Sequence, residues 1–161
     1  MGRTGTTRRR ALIVTGAAAA GLLTGCSTDE PKGRSTAGSA RDPARAEAAL
    51  RRRLAATSGA LRDQYDAVIT QHPALTGQLT VLRAEVAEHA AALGGTTRVA
   101  PPLPVPADAK AAVKALATAE RRTSDAHTAA LVDAEPELAR LLASVAAAGA
   151  AHAYLLTKGG A

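Results

Sequence analysis

The chain has 161 residues, which is enough for about one folded domain. Aromatic residues make up 1% of it, with neither Trp nor Phe, whereas a β-sandwich or a base-stacking platform for nucleic acid would use many more. The abundant Ala and Leu instead favour an all-α protein with closely packed helices.

The net charge of +6 arises largely at the N-terminal end of the chain. Four of the 20 basic residues lie within residues 1–25, whereas all 14 acidic residues follow them, so the rest of the chain has a net charge of +2. Both signs are interspersed along that remainder, which is typical of a solvated surface. We therefore expect no binding to nucleic acid.

The N-terminal segment has the pattern of an export signal. Residues 1–10 are basic and residues 11–23 (ALIVTGAAAAGLL) are apolar, a run shorter than the about 20 residues that a membrane-spanning helix needs. A basic start, a short apolar run and small residues at a cleavage site are typical of a secretory signal. The alternatives are an ordinary secreted protein with an unrelated Cys26, or a short membrane helix.

The apolar run ends in Leu23-Thr24-Gly25-Cys26, which resembles the lipobox of bacterial lipoproteins. The resemblance implies cleavage between Gly25 and Cys26 and a diacylglyceryl group on the Cys26 sulfur. Two acyl chains hold a protein at a membrane, whereas a single chain binds only marginally. The resemblance therefore implies an anchor in the cell membrane, with the protein on its extracytoplasmic face. Residues 7–12 (TRRRAL) also resemble a twin-arginine signal, so both the Sec and the twin-arginine export routes stay open.

Residues 26–41 are rich in Ser, Gly, Pro and charged residues and have no apolar period. This composition predicts a flexible tether with a reach of roughly 20 Å. The tether would separate the signal peptide, residues 1–25, from a folded domain over residues 42–161.

Four helices are predicted in that domain. The first begins at Asp42, an N-cap residue followed by Pro43, and it ends at His72. The second ends at Gly94. Their apolar residues recur at three-, four- and seven-residue intervals, which is the period of an amphipathic helix. The two stripes are Leu50, Leu54, Leu61, Tyr65 and Val68, then Leu75, Leu79, Leu82, Val86, His89 and Leu93.

The third helix follows the N-cap candidate Asp108, and the fourth begins between Asp133 and Pro136 and ends at Gly159. Each carries an inward stripe with polar members, which suits a bundle of helices. The two stripes are Val113, Leu116, Glu120, Thr123, His127 and Leu131, then Leu138, Leu142, Val145, Gly149, His152 and Leu156.

A proline-rich connection, residues 94–107, joins the second and third helices. In extended polyproline form it can reach roughly 40 Å, because each residue adds about 3.1 Å. The second helix is only roughly 30 Å long. The connection can therefore cross the whole bundle, as in ferritin-like folds. A proline-rich ligand for a recognition domain is the alternative interpretation.

The domain resembles a ferritin-like family of unknown function found among actinobacterial exported proteins. The resemblance rests on residues 89–93 (HAAAL), on residues 102–108 (PLPVPAD) and on Glu120 in the Ala-rich third helix, and it covers roughly residues 44–157. It implies a four-helix bundle of ferritin-like topology with a proline-rich crossover between helices 2 and 3.

A metal site is one hypothesis for the middle of this bundle. Di-iron ferritin-like proteins use a Glu on each of two helices and a Glu-x-x-His on the other two. The candidates here are Glu85, His89, Glu120 and His152, and helix-rise counting places them near Tyr65. Helix 1 has Gln64 and Tyr65 where a carboxylate would be needed, and helix 4 has Gly149, not Glu, three residues before His152. We therefore favour a buried polar network in which His89 and His152 pair with Glu120, Tyr65 or the backbone.

No complete active site is evident. The chain has no Gly-rich phosphate loop, no Cys/His zinc spacing and no Gly-x-Ser-x-Gly motif. Ser124, Asp125 and His127 lie within one helical turn and do not form a catalytic triad. We expect a membrane-held, non-enzymatic domain with a structural or protein-interaction role, an unidentified protein partner and no cofactor. Metal binding is the alternative, and small-ligand binding is disfavoured because Ala-rich helices pack closely.

Overall fold

The computed structural model describes residues 42–96 and 104–159, which belong to one compact unit. No β-strand occurs in these two ranges, so the prediction of an all-α protein with four helices is confirmed there. The predicted signal peptide, 1–25, and tether, 26–41, lie outside the described residues, as do residues 97–103. The helices are α1 (Pro43–Gln71), α2 (Thr76–Ala92), α3 (Ala109–Ala129) and α4 (Pro136–Gly159).

Two helices begin at the aspartates that the sequence predicts as N-caps. The Asp42 carboxylate accepts a hydrogen bond from the Ala44 amide at 3.1 Å, and Pro43 occupies the first helical position. The Asp108 carboxylate accepts one from the Ala111 amide at 2.7 Å. Each aspartate satisfies an amide that has no partner within its own helix, which confirms both predicted starts.

The end of α2 depends on two glycines. Gly94 has a φ of 84°, a left-handed conformation that favours glycine. The Gly95 amide donates to the Ala90 carbonyl and the Gly94 amide to the Ala91 carbonyl, both at 2.8 Å. These two bonds form a Schellman motif, and a Cβ on Gly95 would lie only 2.7 Å from the Ala90 carbonyl oxygen. The predicted end of the second helix at Gly94 is confirmed.

Two predicted helix positions are wrong. Leu75 lies in a 3₁₀ turn, Pro73–Leu75, because Pro73 has no amide hydrogen with which to continue α1. Leu131 lies in a second 3₁₀ turn, Ala130–Asp133, where the end of α3 tightens. Both leucines are still partly buried against the core.

Helix α3 runs antiparallel to both α1 and α4. Between α1 and α3, Ser58 bonds His127 and Tyr65 bonds Glu120. The residue further along α1 therefore contacts the residue less far along α3. On the α4 side, the Ser124 hydroxyl donates to the Ala146 carbonyl at 2.7 Å, and Glu120 contacts a residue further along α4. These pairs fix the register of three helices.

The chain leaves α2 beside the first half of α1 and enters α3 beside the last residue of α1. After α2, a Cβ built on Gly95 would lie 3.5 Å from the Ala55 Cβ, in the first half of α1. Before α3, the Pro106 carbonyl accepts a hydrogen bond from the side-chain amide of Gln71 at 3.2 Å. Gln71 is the last residue of α1. At about 1.5 Å per residue, the separation between Ala55 and Gln71 is roughly 24 Å.

Helix α4 is, by length and composition, apolar enough to cross a membrane, and no other helix in the described ranges is. Its buried residues include His152, which bonds Glu120 of α3. A buried core helix has the same composition as a membrane span. We therefore assign α4 to the core of the domain.

The core consists of two apolar clusters with polar residues between them along the helices. On α1, for example, Ser58 separates Leu54 from Leu61. One cluster contains Leu61, Tyr65, Val68, Leu79, Val86, Ala112, Val113, Leu116 and Leu156. The other contains Leu50, Leu54, Ala55, Leu93, Ala130, Leu138 and Leu142.

Candidate functional site

Buried polar residues lie between the two apolar clusters, and we call them the polar layer: Ser58, Glu120, Ser124, His127 and His152. Within it, His152 of α4 lies between two carboxylates. Its Nε2 is 2.8 Å from Glu85 Oε2 on α2, and its Nδ1 is 3.1 Å from Glu120 Oε1 on α3. Because an ionised carboxylate only accepts hydrogen bonds, this geometry favours the form of His152 with a proton on both ring nitrogens. We therefore assign His152 as an imidazolium that bridges two helices.

Tyr65 of α1 completes the set of hydrogen bonds to Glu120. The Tyr65 hydroxyl donates to Glu120 Oε1 at 2.7 Å, and the Tyr65 side chain is fully buried. Burial and the Glu120 carboxylate raise the pKa of Tyr65 above its ordinary value, so the phenol stays protonated and remains a donor. One oxygen of Glu120 thus accepts from two helices.

The charge of His152 is supported by its surroundings. Hydrogen bonds to Glu120 and Glu85 raise the pKa of His152, although burial acts in the opposite direction. Two acidic neighbours favour the charged form more strongly than burial disfavours it.

His89 of α2 stacks on His152, with ring centroids 6.2 Å apart and an angle of 21° between the rings. Burial lowers the pKa of His89, and the nearby His152 lowers it further. The pKa values of these two stacked histidines are therefore shifted in opposite directions, because only His152 has a carboxylate on each side.

The network extends from solvent into the core. The Glu85 side chain is 50% exposed, whereas that of Glu120 is 1% exposed. His152 joins them and is itself buried. The structure thus brings together all four residues that the sequence singles out, Glu85, His89, Glu120 and His152, and Tyr65 lies beside them, as helix-rise counting predicts.

A second polar pair, Ser58 and His127, was not predicted. The Ser58 hydroxyl lies 3.3 Å from His127 Nε2, and both residues are buried. Burial lowers the pKa of His127, which favours the neutral ring. Ser58 could have been found, since it interrupts the apolar stripe four residues after Leu54 and three before Leu61. His127 does not bond Asp125, which is exposed on α3.

The described residues contain no group of three or more His, Cys, Asp or Glu side chains arranged to hold a metal ion. Glu85, Glu120 and His152 are close together, yet each ring nitrogen of His152 already faces a carboxylate oxygen. A metal ligand must offer the ion a free lone pair. As arranged here, His152 offers none.

An open groove of about 760 Å³ lies on the described part of the chain. It lies between α1 and α3, beside residues 104–106, and its walls are chiefly Ala, Pro and Thr with Gln64 and Arg122. None of the carboxylates or histidines of the network lines it. By contrast, the cavity that Glu120 and His89 line has a volume of about 10 Å³.

Comparisons with protein families, curated proteins and solved structures give no match, so the function is argued from these residues.

Proposed function

We propose that the chain is a membrane-anchored, exported lipoprotein whose helical domain is non-enzymatic and has a structural or protein-interaction role. The non-enzymatic role is supported by the hydrogen bonding of His152, whose two ring nitrogens both face carboxylates. The cavity beside this network measures about 10 Å³, whereas pockets for small molecules typically have about 300–1,000 Å³. A substrate has no room beside these groups.

The polar layer has a structural purpose in this proposal. The four side chains joined by hydrogen bonds come from four different helices: Tyr65 from α1, Glu85 from α2, Glu120 from α3 and His152 from α4. Buried polar groups must find partners, so a bundle with shifted helices would leave charges unpaired. The network therefore favours one arrangement of Ala-rich helices that could otherwise slide past one another.

A ferritin-like topology forms part of the proposal. Antiparallel pairing of α3 with both α1 and α4 supports it, as does the position of the two ends of the proline-rich connection. In that topology a long crossover joins two antiparallel helix pairs.

The membrane anchor is proposed from the sequence of residues 1–26. A basic start, a short apolar run and Cys26 after small residues are the features that support it. The diacylglyceryl group on Cys26 would supply two acyl chains, which is what stable anchoring needs. The domain would then lie on the extracytoplasmic face, and its protein partner would be found there.

A Cys26→Ser variant is expected to leave the membrane fraction, because no thioether to the lipid can form at serine. The measurement is fractionation of cells that express the full chain, together with intact mass of the purified protein. Wild type is expected in the membrane fraction with the added mass of acyl chains. A Ser27→Ala variant is the control and should behave as wild type. Membrane retention of the Cys26→Ser variant, with no acyl mass on wild type, would rule out the anchor.

Metal binding is a second candidate function, because Glu85, His89, Glu120 and His152 meet in one place. A metal ion could displace the proton from a ring nitrogen of His152 and bind between that nitrogen and the carboxylate it faces. The incomplete ligand set disfavours iron, which the di-iron members bind with four Glu and two His.

Elemental analysis separates these two functions. We expect the purified full chain to hold less than roughly a tenth of an equivalent of Fe, Mn or Zn, since His152 is occupied by hydrogen bonds. One equivalent or more in wild type, lost in Glu120→Ala and kept in the exposed control Glu88→Ala, would favour the metal site instead.

A further inference from the structure

A small cavity lies among the polar residues beside the network. Its volume of about 10 Å³ is close to that of a single water molecule measured in the same way. All four helices contribute to its walls, and most of the side chains there are polar. The polar lining residues are Ser58, His89, Glu120, Thr123, Ser124 and His127.

His127 lines this cavity, and one of its ring nitrogens has no hydrogen-bond partner in the described ranges. His127 is fully buried, and its Nε2 faces the Ser58 hydroxyl, but its Nδ1 has no partner among the described residues. A buried polar nitrogen without a partner is rare and costly in a folded protein. The unpaired Nδ1 therefore points to an occupant that the cavity admits.

Glu120 offers an acceptor at the same cavity. Within the described ranges, both of its hydrogen bonds, from Tyr65 and His152, reach Oε1. Its second oxygen, Oε2, would lie 3.4 Å from a Cβ on Gly149, which also lines the cavity. The absence of a side chain at Gly149 keeps open the space beside Oε2.

We propose that this cavity is a binding site for one water molecule, which bonds His127 Nδ1 and the Glu120 carboxylate. Water fits either tautomer of His127, because it both donates and accepts. It would join the pair of Ser58 and His127 to the Glu120–His152–Glu85 network. The result is a continuous chain of hydrogen bonds from the half-exposed Glu85 through the water to His127 and Ser58.

Other occupants fit less well. An ammonium ion has no lone pair and could bond Nδ1 only in one tautomer. A divalent metal needs several ligands, and the described residues contain no group of three or more His, Cys, Asp or Glu side chains arranged to hold one. An empty cavity is typical of walls without polar groups, whereas Ser58, Glu120 and His127 are among the residues that line this one.

The test is a crystal structure of the purified full chain at a resolution where ordered waters are visible, with anomalous diffraction to identify any metal. We expect one peak within hydrogen-bonding distance of both His127 Nδ1 and Glu120. In Gly149→Ala the peak should be lost, because the added Cβ would lie 3.3 Å from the Ser124 Cβ and 3.4 Å from Glu120 Oε2. Gly59→Ala, which adds a methyl group to α1 with no atom within 4 Å, should keep it.

Thermal unfolding of the same two variants gives an independent readout. Gly59→Ala should raise the midpoint, as alanine favours a helix over glycine. Gly149→Ala should lower it, because Nδ1 of His127 loses its partner. An empty cavity in wild type, or an anomalous peak that identifies a metal there, would overturn the proposal.

Discussion

Replacing Glu120 with alanine is expected to lower the free energy of unfolding by about 3–5 kcal/mol, the usual cost of removing one partner from a buried ion pair. The Glu120 side chain is 1% exposed and accepts hydrogen bonds from Tyr65 and His152. Its loss would leave the Tyr65 hydroxyl and the Nδ1 of His152 without an acceptor. Chemical denaturation of the full chain measures the change.

Two further variants make this prediction specific to the network. Glu120→Gln keeps an amide oxygen where Oε1 lies but loses the charge, so it should be less destabilising than Glu120→Ala. The exposed residue Glu88 on α2 provides the control, and Glu88→Ala should change stability by less than about 0.5 kcal/mol. A loss in Glu120→Ala no larger than in Glu88→Ala would contradict the assigned role.

A His152→Ala variant is expected to lose stability in a pH-dependent manner. Near pH 6 the loss should be about 3–5 kcal/mol, because the buried Glu120 carboxylate would have no cation beside it. The groups that face His152 are Glu85 and His89 on α2 and Glu120 on α3, with Tyr65 of α1 bonded to the same oxygen. Of these, the two carboxylates raise its pKa.

The sign of the pH dependence follows from that raised pKa. A group with a raised folded-state pKa contributes stability that is fully present below its unfolded value, about 6.5 for histidine, and is lost as the pH rises through the folded value. The difference between wild type and His152→Ala should therefore shrink from pH 6 toward pH 9. A difference that grows with pH would contradict the assignment of His152 as an imidazolium.

His89 supplies a contrasting measurement. Its pKa is lowered, chiefly by burial, so its contribution has the opposite sign. The stability that comes from keeping His89 neutral is present above about pH 6.5 and is lost as the pH falls below that value. Urea unfolding of wild type, His152→Ala and His89→Gln across this range separates the two histidines.

The helix boundaries could be predicted because their causes are local. Asp42 and Asp108 cap amides two and three residues away, and Gly94 adopts a conformation that other residues avoid. Where a boundary depended on how the helix end tightens, at Leu75 and Leu131, the sequence prediction was wrong. Single-residue patterns do not show whether a final turn is α-helical or 3₁₀.

The members of the network could be predicted, but its pairings could not. Heptad-like spacing placed Glu120 and His152 on inward faces, and counting residues placed them at a similar height. Which oxygen meets which nitrogen depends on the rotation and register of helices that are distant in sequence. Glu85, for example, reaches His152 across 67 residues of chain from a half-exposed position.

Small polar residues are the least visible part of the core to sequence analysis. Ser58 and Ser124 are buried, and each bonds a group on another helix. Serine is usually exposed, so its place in an apolar stripe is easily mistaken for a break in the pattern. Two serines at such breaks mark the polar layer between the apolar clusters.

Nitrogen NMR of the histidine rings tests the central claim, that His152 is an imidazolium held between Glu85 and Glu120, most directly. In ¹⁵N-labelled wild type at a pH just above 6.5, both His152 ring nitrogens should have the chemical shifts of protonated, hydrogen-bonded nitrogens. His89 and His127 should be neutral at the same pH. A neutral His152 with one unprotonated nitrogen, or a ring bound to metal, would contradict the account.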